Sequence, residues 1–190
     1  MRPLVYQAGP AQVLFYANGA AYVVRELVLQ VRAPGGRRDP SYYAMLALPL
    51  AGLALAFVFA SVDDRLPGPR WVPAAAGIAL MCTGFAFRAW AIRELGRFFT
   101  VTVGVEEGHR VVDTGPYRRV RHPSYTGMAV YFAGLGISLD SWLSLAAATL
   151  LPLAGIVVRI HYEEQLLRRE LGPPYADYSE RTRRLVPGVW

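Results

Sequence analysis

The sequence contains no lysine and a single cysteine, Cys82, among its 190 residues. One cysteine cannot form a disulfide framework or a cysteine-based zinc site within the chain, and its position in an apolar segment indicates a packing role. The sequence has no glycine-rich phosphate loop, nucleophile elbow, HExxH helix or detectable internal repeat. The N-terminus also lacks the features of a cleaved signal peptide, so its first apolar segment is expected to remain in the protein.

Apolar residues dominate the chain instead. They make up 54% of it, a high share for a soluble protein of this length. Apolar runs of a length suited to membrane helices alternate with charged segments, and the last two runs are separated only by Asp140. The runs are residues 42–62, 71–92, 125–139 and 141–158.

A further candidate segment, residues 11–31, contains Arg25 and Glu26. It is therefore either a membrane helix or an amphipathic helix at the membrane surface. The sequence predicts an all-α polytopic membrane protein with about five transmembrane helices and a helical C-terminal tail. We expect one domain over residues 1–190, in which residues 1–92 form membrane helices and residues 93–190 contain a polar loop, a tight helical hairpin and the tail.

The twenty basic residues, all arginine, are distributed unevenly. They cluster after the first apolar run, between residues 93 and 121, and in the tail from residue 168 to 184, whereas the opposite loops have few. This asymmetry predicts an outside N-terminus and a cytoplasmic C-terminus. Topology and attraction to anionic lipid explain the net charge of +6, so no nucleic-acid partner is expected. An arginine-only composition also indicates a GC-rich microbial genome, and thus a bacterial inner membrane.

Residues 108–127, GHRVVDTGPYRRVRHPSYTG, combine four arginines, two histidines, two tyrosines and two prolines directly before an apolar run. Pro123 suits the first turn of a helix, which would leave the backbone N–H groups of Ser124 and Tyr125 free to face an anion. Three arginines lie within the five residues before Pro123. The pattern predicts a site for an anionic ligand at the mouth of a membrane helix, although a basic positive-inside loop explains the arginines equally well.

The C-terminal tail is the second polar region. The fifth apolar run is predicted to continue as a helix to Leu171, with Gly172 as its C-cap. A second short helix is predicted from residue 174 to about residue 184. It would carry Tyr175 and Tyr178 on one face, either in a site or at the membrane surface.

Arg159 and Glu163 are i, i+4 neighbours at the point where the predicted fifth helix leaves the bilayer. An ionisable residue at that depth is energetically costly, which indicates a functional role. A helix salt bridge without further function is the alternative interpretation.

Together the two polar regions resemble a known family. The string HRVVDTGPYRRVRHPSYTG, an apolar hairpin, the spacing R-x3-EE-x7-G-x2-Y-x2-Y and a closing RLVPG are similar to the isoprenylcysteine carboxyl methyltransferases. These are integral membrane enzymes that use S-adenosylmethionine to esterify the carboxylate of a prenylated cysteine. The resemblance covers the C-terminal half, from residue 101 onward. The string RHPxYxG alone also occurs in membrane sterol reductases. Its combination with GPY and EE is more specific for the methyltransferases.

The resemblance implies a role for each matching residue. Arg159 would face the substrate carboxylate, and Glu163 would complete the cofactor pocket; these two are the candidate catalytic residues. Thr102 stands where the animal enzymes have a glutamine, which indicates that the substrate can differ. No metal is implied. The implied S-adenosylmethionine-binding residues are Thr102, His109, Arg110, Val111, Val112, Tyr117, His122, Pro123, Ser124, Tyr125 and Glu163.

The chemistry of methyl transfer fits these residues. Displacement at a sulfonium requires alignment and desolvation more than acid–base catalysis, and a carboxylate is already ionised at neutral pH. Arg159 would orient that carboxylate through a bidentate fork. The expected partners are a lipophilic or prenylated acceptor and membrane lipid. The alternatives are a methyltransferase acting on a lipid amine or small thiol, an NADPH-dependent sterol-type reductase, and a non-enzymatic membrane adaptor.

Overall fold

The computed structural model describes residues 3–32, 39–102, 104, 108, 110–188 and 190. Helices dominate these residues, and the strand-like pairing found among them is one backbone bridge between Val120 and Arg183. The all-α prediction is therefore confirmed. The helices are α1 (Pro10–Arg32), α2 (Pro40–Phe59), α3 (Trp71–Leu95), α4 (Pro123–Ser138), α5 (Trp142–Leu171) and α6 (Pro173–Arg181).

Three helices in the described part of the chain are long and apolar enough to cross a membrane. They are Pro40–Phe59, Trp71–Phe98 and Trp142–Leu171. α4 has 16 residues, which corresponds to a length of about 24 Å, shorter than a hydrocarbon core of about 30 Å. The count of five spans and the orientation in the membrane stay predictions.

Facing glycines bring α3 and α4 into close contact. A Cβ atom added to Gly84 would lie 2.5 Å from the carbonyl oxygen of Gly127, and one added to Gly134 would lie 2.6 Å from the carbonyl oxygen of Gly77. A larger residue at these positions would push the two backbones apart. This close approach follows the general use of small residues between membrane helices.

α1 packs along α3 and α4. The ring of Tyr22 stacks on that of Tyr131 with 3.9 Å between centroids, and the side-chain amide of Asn18 donates to the sulfur of Cys82 at 3.1 Å. Cys82 is exposed on α3. Cys82 contacts α1 through Asn18, and its packing role stays a prediction.

Asp140 forms the predicted tight turn between α4 and α5, with φ at +54°. The hydroxyl of Ser141 then caps α5 by accepting the backbone N–H of Ser144 at 3.0 Å. Nε of Arg65 donates to the Asp140 carboxylate at 2.8 Å. The loop before α3 is thus fastened to the hairpin.

At the other end of α5, Gly172 ends the helix with φ at +58°, as predicted. α6 ends at Arg181 rather than near residue 184, because the backbone after it pairs with the loop before α4. The N–H of Arg121 donates to the carbonyl of Arg183 at 2.7 Å, and Arg183 in turn donates to Arg119 at 3.1 Å. This pairing brings the two polar regions of the sequence together.

Candidate active site

A cavity of about 760 Å³ of empty space, open to solvent on one side, lies between the loop before α4, the C-terminal half of α5 and α6. We call it the loop cavity. Most of the residues that the resemblance assigned to cofactor binding line it. These are Arg110, Val111, Val112, Tyr117, His122, Ser124, Tyr125 and Glu163.

The other assigned residues are placed differently. Thr102 and Pro123 are buried and are not among the residues that line the loop cavity. Pro123 begins α4 and so supports the cavity through the backbone. Thr100, two residues before Thr102, lines the cavity instead. His109 lies outside the described residues.

The polar wall of the loop cavity is built around Glu163. The hydroxyl of Tyr125 donates to Glu163 at 2.7 Å, and Nδ1 of His122 lies 3.9 Å from the same carboxylate. The hydroxyl of Tyr175 also belongs to this cavity; it is buried and has no hydrogen-bond partner among the described residues. A buried hydroxyl without a partner is unfavourable, so Tyr175 is suited to receive a polar ligand.

Tyr175 and Tyr178 do not lie on a membrane surface, because both are buried against the loop. The hydroxyl of Tyr178 donates to the carbonyl oxygen of Tyr117 at 2.8 Å. Burial raises the pKa of the Tyr178 hydroxyl well above its usual range, so it stays protonated and keeps donating. The tail therefore holds the loop residue Tyr117 in position at the cavity.

The predicted anion site at the start of α4 is only partly present. The backbone N–H of Tyr125 is not free, because it donates to the carbonyl oxygen of His122 at 3.0 Å. Arg118 and Arg119 do not line the loop cavity but a separate groove on another side of the loop. Only the third arginine of the cluster, Arg121, reaches the loop cavity.

Arg121 is itself held by Glu164, a residue to which the sequence assigned no role. Its Nε donates to Glu164 at 2.9 Å, and Nη2 of Arg184 donates to the same carboxylate at 3.0 Å. Nε2 of His122 lies 3.4 Å away. Adjacent helix residues point about 100° apart, so Glu163 can face the cavity while Glu164 ties the loop to the tail. In the sequence, the only indication of a role for Glu164 was its place as the second glutamate of the EE pair.

A second cavity, of about 550 Å³, adjoins the loop cavity, and we call it the arginine cavity. Phe99, Thr100 and Tyr125 line both cavities and thus form the boundary between them. Arg159 lines the arginine cavity, whereas Glu163 lines the loop cavity. The two candidate catalytic residues therefore lie on opposite sides of Tyr125.

Three contacts fix the buried guanidinium of Arg159. Its Nη1 donates to the hydroxyl of Ser41 at 3.1 Å, its Nη2 to the carbonyl oxygen of Val101 at 2.8 Å, and its Nε to the hydroxyl of Tyr125 at 3.3 Å. A guanidinium has five N–H donors, and these contacts use three of them. Asp39 caps α2 by accepting from Ser41 and lies 3.6 Å from Arg159, which balances part of its charge.

A second buried arginine, Arg88, also borders the arginine cavity. Its Nε and Nη2 each donate to Glu26 at 2.8 Å, and its Nη1 donates to the carbonyl oxygen of Ser124 at 3.2 Å. In the sequence, Arg88 is a single charge within the apolar run 71–92, and Glu26 lies beside Arg25 in the segment 11–31. The structure explains both, because a buried arginine requires a partner of this kind.

The arginine cavity continues into an open apolar groove of about 1,330 Å³ between α1 and α2. Glu26, Gln30 and Leu46 line both spaces. Aromatic and aliphatic side chains line the rest of the groove, including Phe15 and Leu53. A molecule with an apolar tail and a polar head could therefore place its tail in the groove and its head beside Arg159.

Three helices of membrane-spanning length, two adjoining cavities with buried charged side chains and an apolar groove are features of an integral membrane enzyme. The sequence model of the phospholipid methyltransferase family matches residues 72–173. The chain belongs to the phospholipid methyltransferase family.

Individual relatives point to one branch of this family. The chain is 28% identical over 186 residues to a probable protein-S-isoprenylcysteine O-methyltransferase of Oryza sativa subsp. indica, with 94% of each chain covered. It is 33% identical over 115 residues to protein-S-isoprenylcysteine O-methyltransferase B of Arabidopsis thaliana, with 60% of this chain and 58% of that one covered.

The fold is also similar to a solved structure, that of the eukaryotic intramembrane Ras methyltransferase, an isoprenylcysteine carboxyl methyltransferase. The TM-score is 0.66 at 22% identity, with 97% of this chain and 70% of the other covered. The predicted resemblance to the isoprenylcysteine carboxyl methyltransferases and the prediction of a membrane methyltransferase are confirmed.

Proposed function

We propose that the protein transfers a methyl group from S-adenosylmethionine to the carboxylate of a lipophilic acceptor such as a prenylated cysteine. The position of Tyr125 between the loop cavity and the arginine cavity carries this proposal. It gives the cofactor and the acceptor separate binding spaces that meet at one side chain.

The loop cavity fits the cofactor by its chemistry. Glu163 offers a carboxylate to hydroxyl or ammonium groups, Arg110 offers a guanidinium to a carboxylate, and the unpaired hydroxyl of Tyr175 offers a further hydrogen bond. Phe98 and Leu166 provide apolar surface for an aromatic base. When bound, S-adenosylmethionine supplies a methyl group on a positively charged sulfur.

The arginine cavity fits an acceptor carboxylate. Arg159 lines this cavity, and Ser41 and Val101 hold its guanidinium in place. A fixed fork of this kind orients a carboxylate in a way that a lysine ammonium cannot. The apolar groove that leads to Arg159 suits an isoprenoid or acyl tail.

The chain contributes alignment and exclusion of water to the reaction. A carboxylate oxygen forms the new bond to the methyl carbon while the carbon–sulfur bond breaks and the electron pair stays on sulfur, so no proton moves. The acceptor is ionised at neutral pH and needs no general base. Arg159 and Tyr125 would hold the oxygen in line, which is the main source of rate enhancement in such a displacement.

We further propose that the loop cavity faces the cytoplasm of a bacterial cell, where a water-soluble methyl donor is present. The arginine-rich loop and tail lie at the same end of the helices, as their backbone pairing requires. This orientation agrees with the positive-inside distribution of arginines.

Purified protein in detergent, incubated with methyl-labelled S-adenosylmethionine, tests the proposal directly. An S-prenylated N-acetylcysteine should become a base-labile methyl ester, and the same compound without its prenyl group should react poorly. Labelling that is absent with every carboxylate acceptor would reject the carboxyl assignment.

A lipid amine is the second candidate acceptor. The observation behind it is Glu26, whose carboxylate is paired with Arg88 and also lines the arginine cavity and the groove. Labelling of a membrane lipid extract in the same assay, followed by mass spectrometry, separates the two. A base-stable methylamine product would support the amine acceptor, and a base-labile ester would support the carboxylate.

A further inference from the structure

A groove of about 1,110 Å³ lies on a different side of the loop from the cofactor site. Tyr117 lines the loop cavity, whereas the next two residues, Arg118 and Arg119, line this groove. We call it the Trp90 groove. Its lining includes Phe87, Trp90, Arg118, Arg119, Leu185 and Pro187.

Arg118 and Arg119 are exposed, and neither guanidinium has an ion-pair or side-chain hydrogen-bond partner within the part of the chain that the structure describes. Two other arginines, one of the loop and one of the tail, differ in this respect. Arg121 is paired with Glu164, and Arg181 is paired with Asp113 at 2.8 Å. Two adjacent unpaired guanidinium groups at one rim make the groove complementary to an anion.

The opposite side of the groove belongs to a membrane-length helix. Phe87 and Trp90 are on α3, within the span Trp71–Phe98, and their rings make an edge contact with centroids 5.8 Å apart. Trp90 is 44% exposed and lies near the end of this helix. Exposed tryptophans at the ends of membrane helices sit at the level of lipid headgroups. The groove therefore joins a lipid-facing surface to a pair of cations.

We propose that the Trp90 groove binds an anionic phospholipid, such as phosphatidylglycerol. Its phosphate would lie between Arg118 and Arg119, and the start of an acyl chain would lie along Phe87 and Trp90. The side chains on α3 favour a lipid over an acidic protein segment, because they belong to a helix of membrane-spanning length and Trp90 lies near its end, where headgroups and acyl chains meet. The site is independent of the proposed methyl transfer, since none of these four residues lines the loop cavity or the arginine cavity.

Tryptophan fluorescence can test the site at the groove itself. Replacing Trp71, Trp142 and Trp190 with phenylalanine leaves Trp90 as the sole tryptophan of the four in the chain. Brominated lipids quench tryptophan on contact. In mixed micelles, brominated phosphatidylglycerol should quench Trp90 saturably and at several-fold lower mole fraction than brominated phosphatidylcholine, and added salt should reduce the difference.

The double variant Arg118→Gln/Arg119→Gln in this background should lose the preference. Arg168→Gln/Arg169→Gln removes the same charge from exposed residues in the last turn of α5 and should keep it. The single variant Arg119→Gln, which should weaken the preference, serves if the double variant does not fold by circular dichroism. Equal quenching by both lipids, or an unchanged preference in the folded groove variants, would overturn the proposal. Loss of the preference for phosphatidylglycerol in both double variants would assign the effect to net charge and reject the lipid site. Displacement of the lipid by an acidic peptide, with no preference between the two lipids, would assign the groove to a protein partner and also reject it.

Discussion

The hydroxyl of Tyr125 donates a 2.7 Å hydrogen bond to the carboxylate of Glu163. The same hydroxyl accepts from Nε of Arg159 at 3.3 Å. The three side chains thus form a continuous series from the arginine cavity, through the boundary residue, to the loop cavity. A change at Tyr125 should therefore affect both proposed binding spaces.

The variant Tyr125→Phe keeps the ring and removes only the hydroxyl. Glu163 would lose its short hydrogen bond and Arg159 one of its three contacts, so we expect weaker cofactor binding and a lower turnover number. Loss of a hydrogen bond to a charged group corresponds to about 1.5–3 kcal/mol. Calorimetric titration with S-adenosylmethionine and turnover with the prenylated acceptor measure the two effects. The matched control Tyr162→Phe changes an exposed tyrosine of α5 and should alter neither.

Substitutions of Arg159 and Glu163 should impair the enzyme in different ways. Arg159→Lys keeps the charge and loses the planar fork, so turnover should fall sharply while cofactor affinity stays nearly unchanged. Glu163→Gln should instead weaken cofactor binding directly, by about 1–3 kcal/mol. Their contact at 3.9 Å is long for an ion pair, which leaves both groups available for ligands. If the two variants lower the melting temperature equally and change neither affinity nor rate selectively, the pair serves packing alone.

Glu164 should matter for stability more than for catalysis. Glu164→Gln removes the charge that holds Arg121 and Arg184 and leaves the buried guanidinium of Arg121 without its charged partner. Breaking a buried ion pair on one side typically costs about 3–5 kcal/mol. We expect a clearly lower melting temperature and faster proteolysis after α5, because the tail would separate from the loop. Glu180→Gln, at an exposed residue of α6, is the control and should behave like the unchanged protein.

Local features of the fold could be predicted from the sequence, and long-range partners could not. The turn at Asp140 and the helix end at Gly172 depend on a few neighbouring residues, so their chemistry is visible in the string itself. The contact of Arg159 with Ser41 joins residues 118 positions apart, and that of Arg88 with Glu26 spans 62. Such pairs are selected by how the helices pack, which periodicity does not specify.

The difference between local features and long-range contacts also explains which parts of the candidate site could be predicted. The loop and tail residues were identifiable because their combination resembles a family over a contiguous half of the chain. α6 ends earlier than predicted because backbone pairing of Arg183 with the loop competes with helix continuation. The unpaired hydroxyl of Tyr175 could be recognised only once its surroundings were known.

The orientation in the membrane can be tested at the two ends of the helices. Asp63, in the connection between α2 and α3, and Glu180, in α6, are both exposed. α3 and α5 are long enough to separate these ends across a bilayer. In a Cys82→Ser background, Asp63→Cys should react in intact cells with a membrane-impermeant maleimide, whereas Glu180→Cys should react only after permeabilisation. The arginine asymmetry is the physical reason for this expectation, since basic segments are retained on the cytoplasmic side. Labelling of Glu180→Cys in intact cells with protection of Asp63→Cys would reverse the topology and place the loop cavity outside, away from any cytoplasmic supply of S-adenosylmethionine.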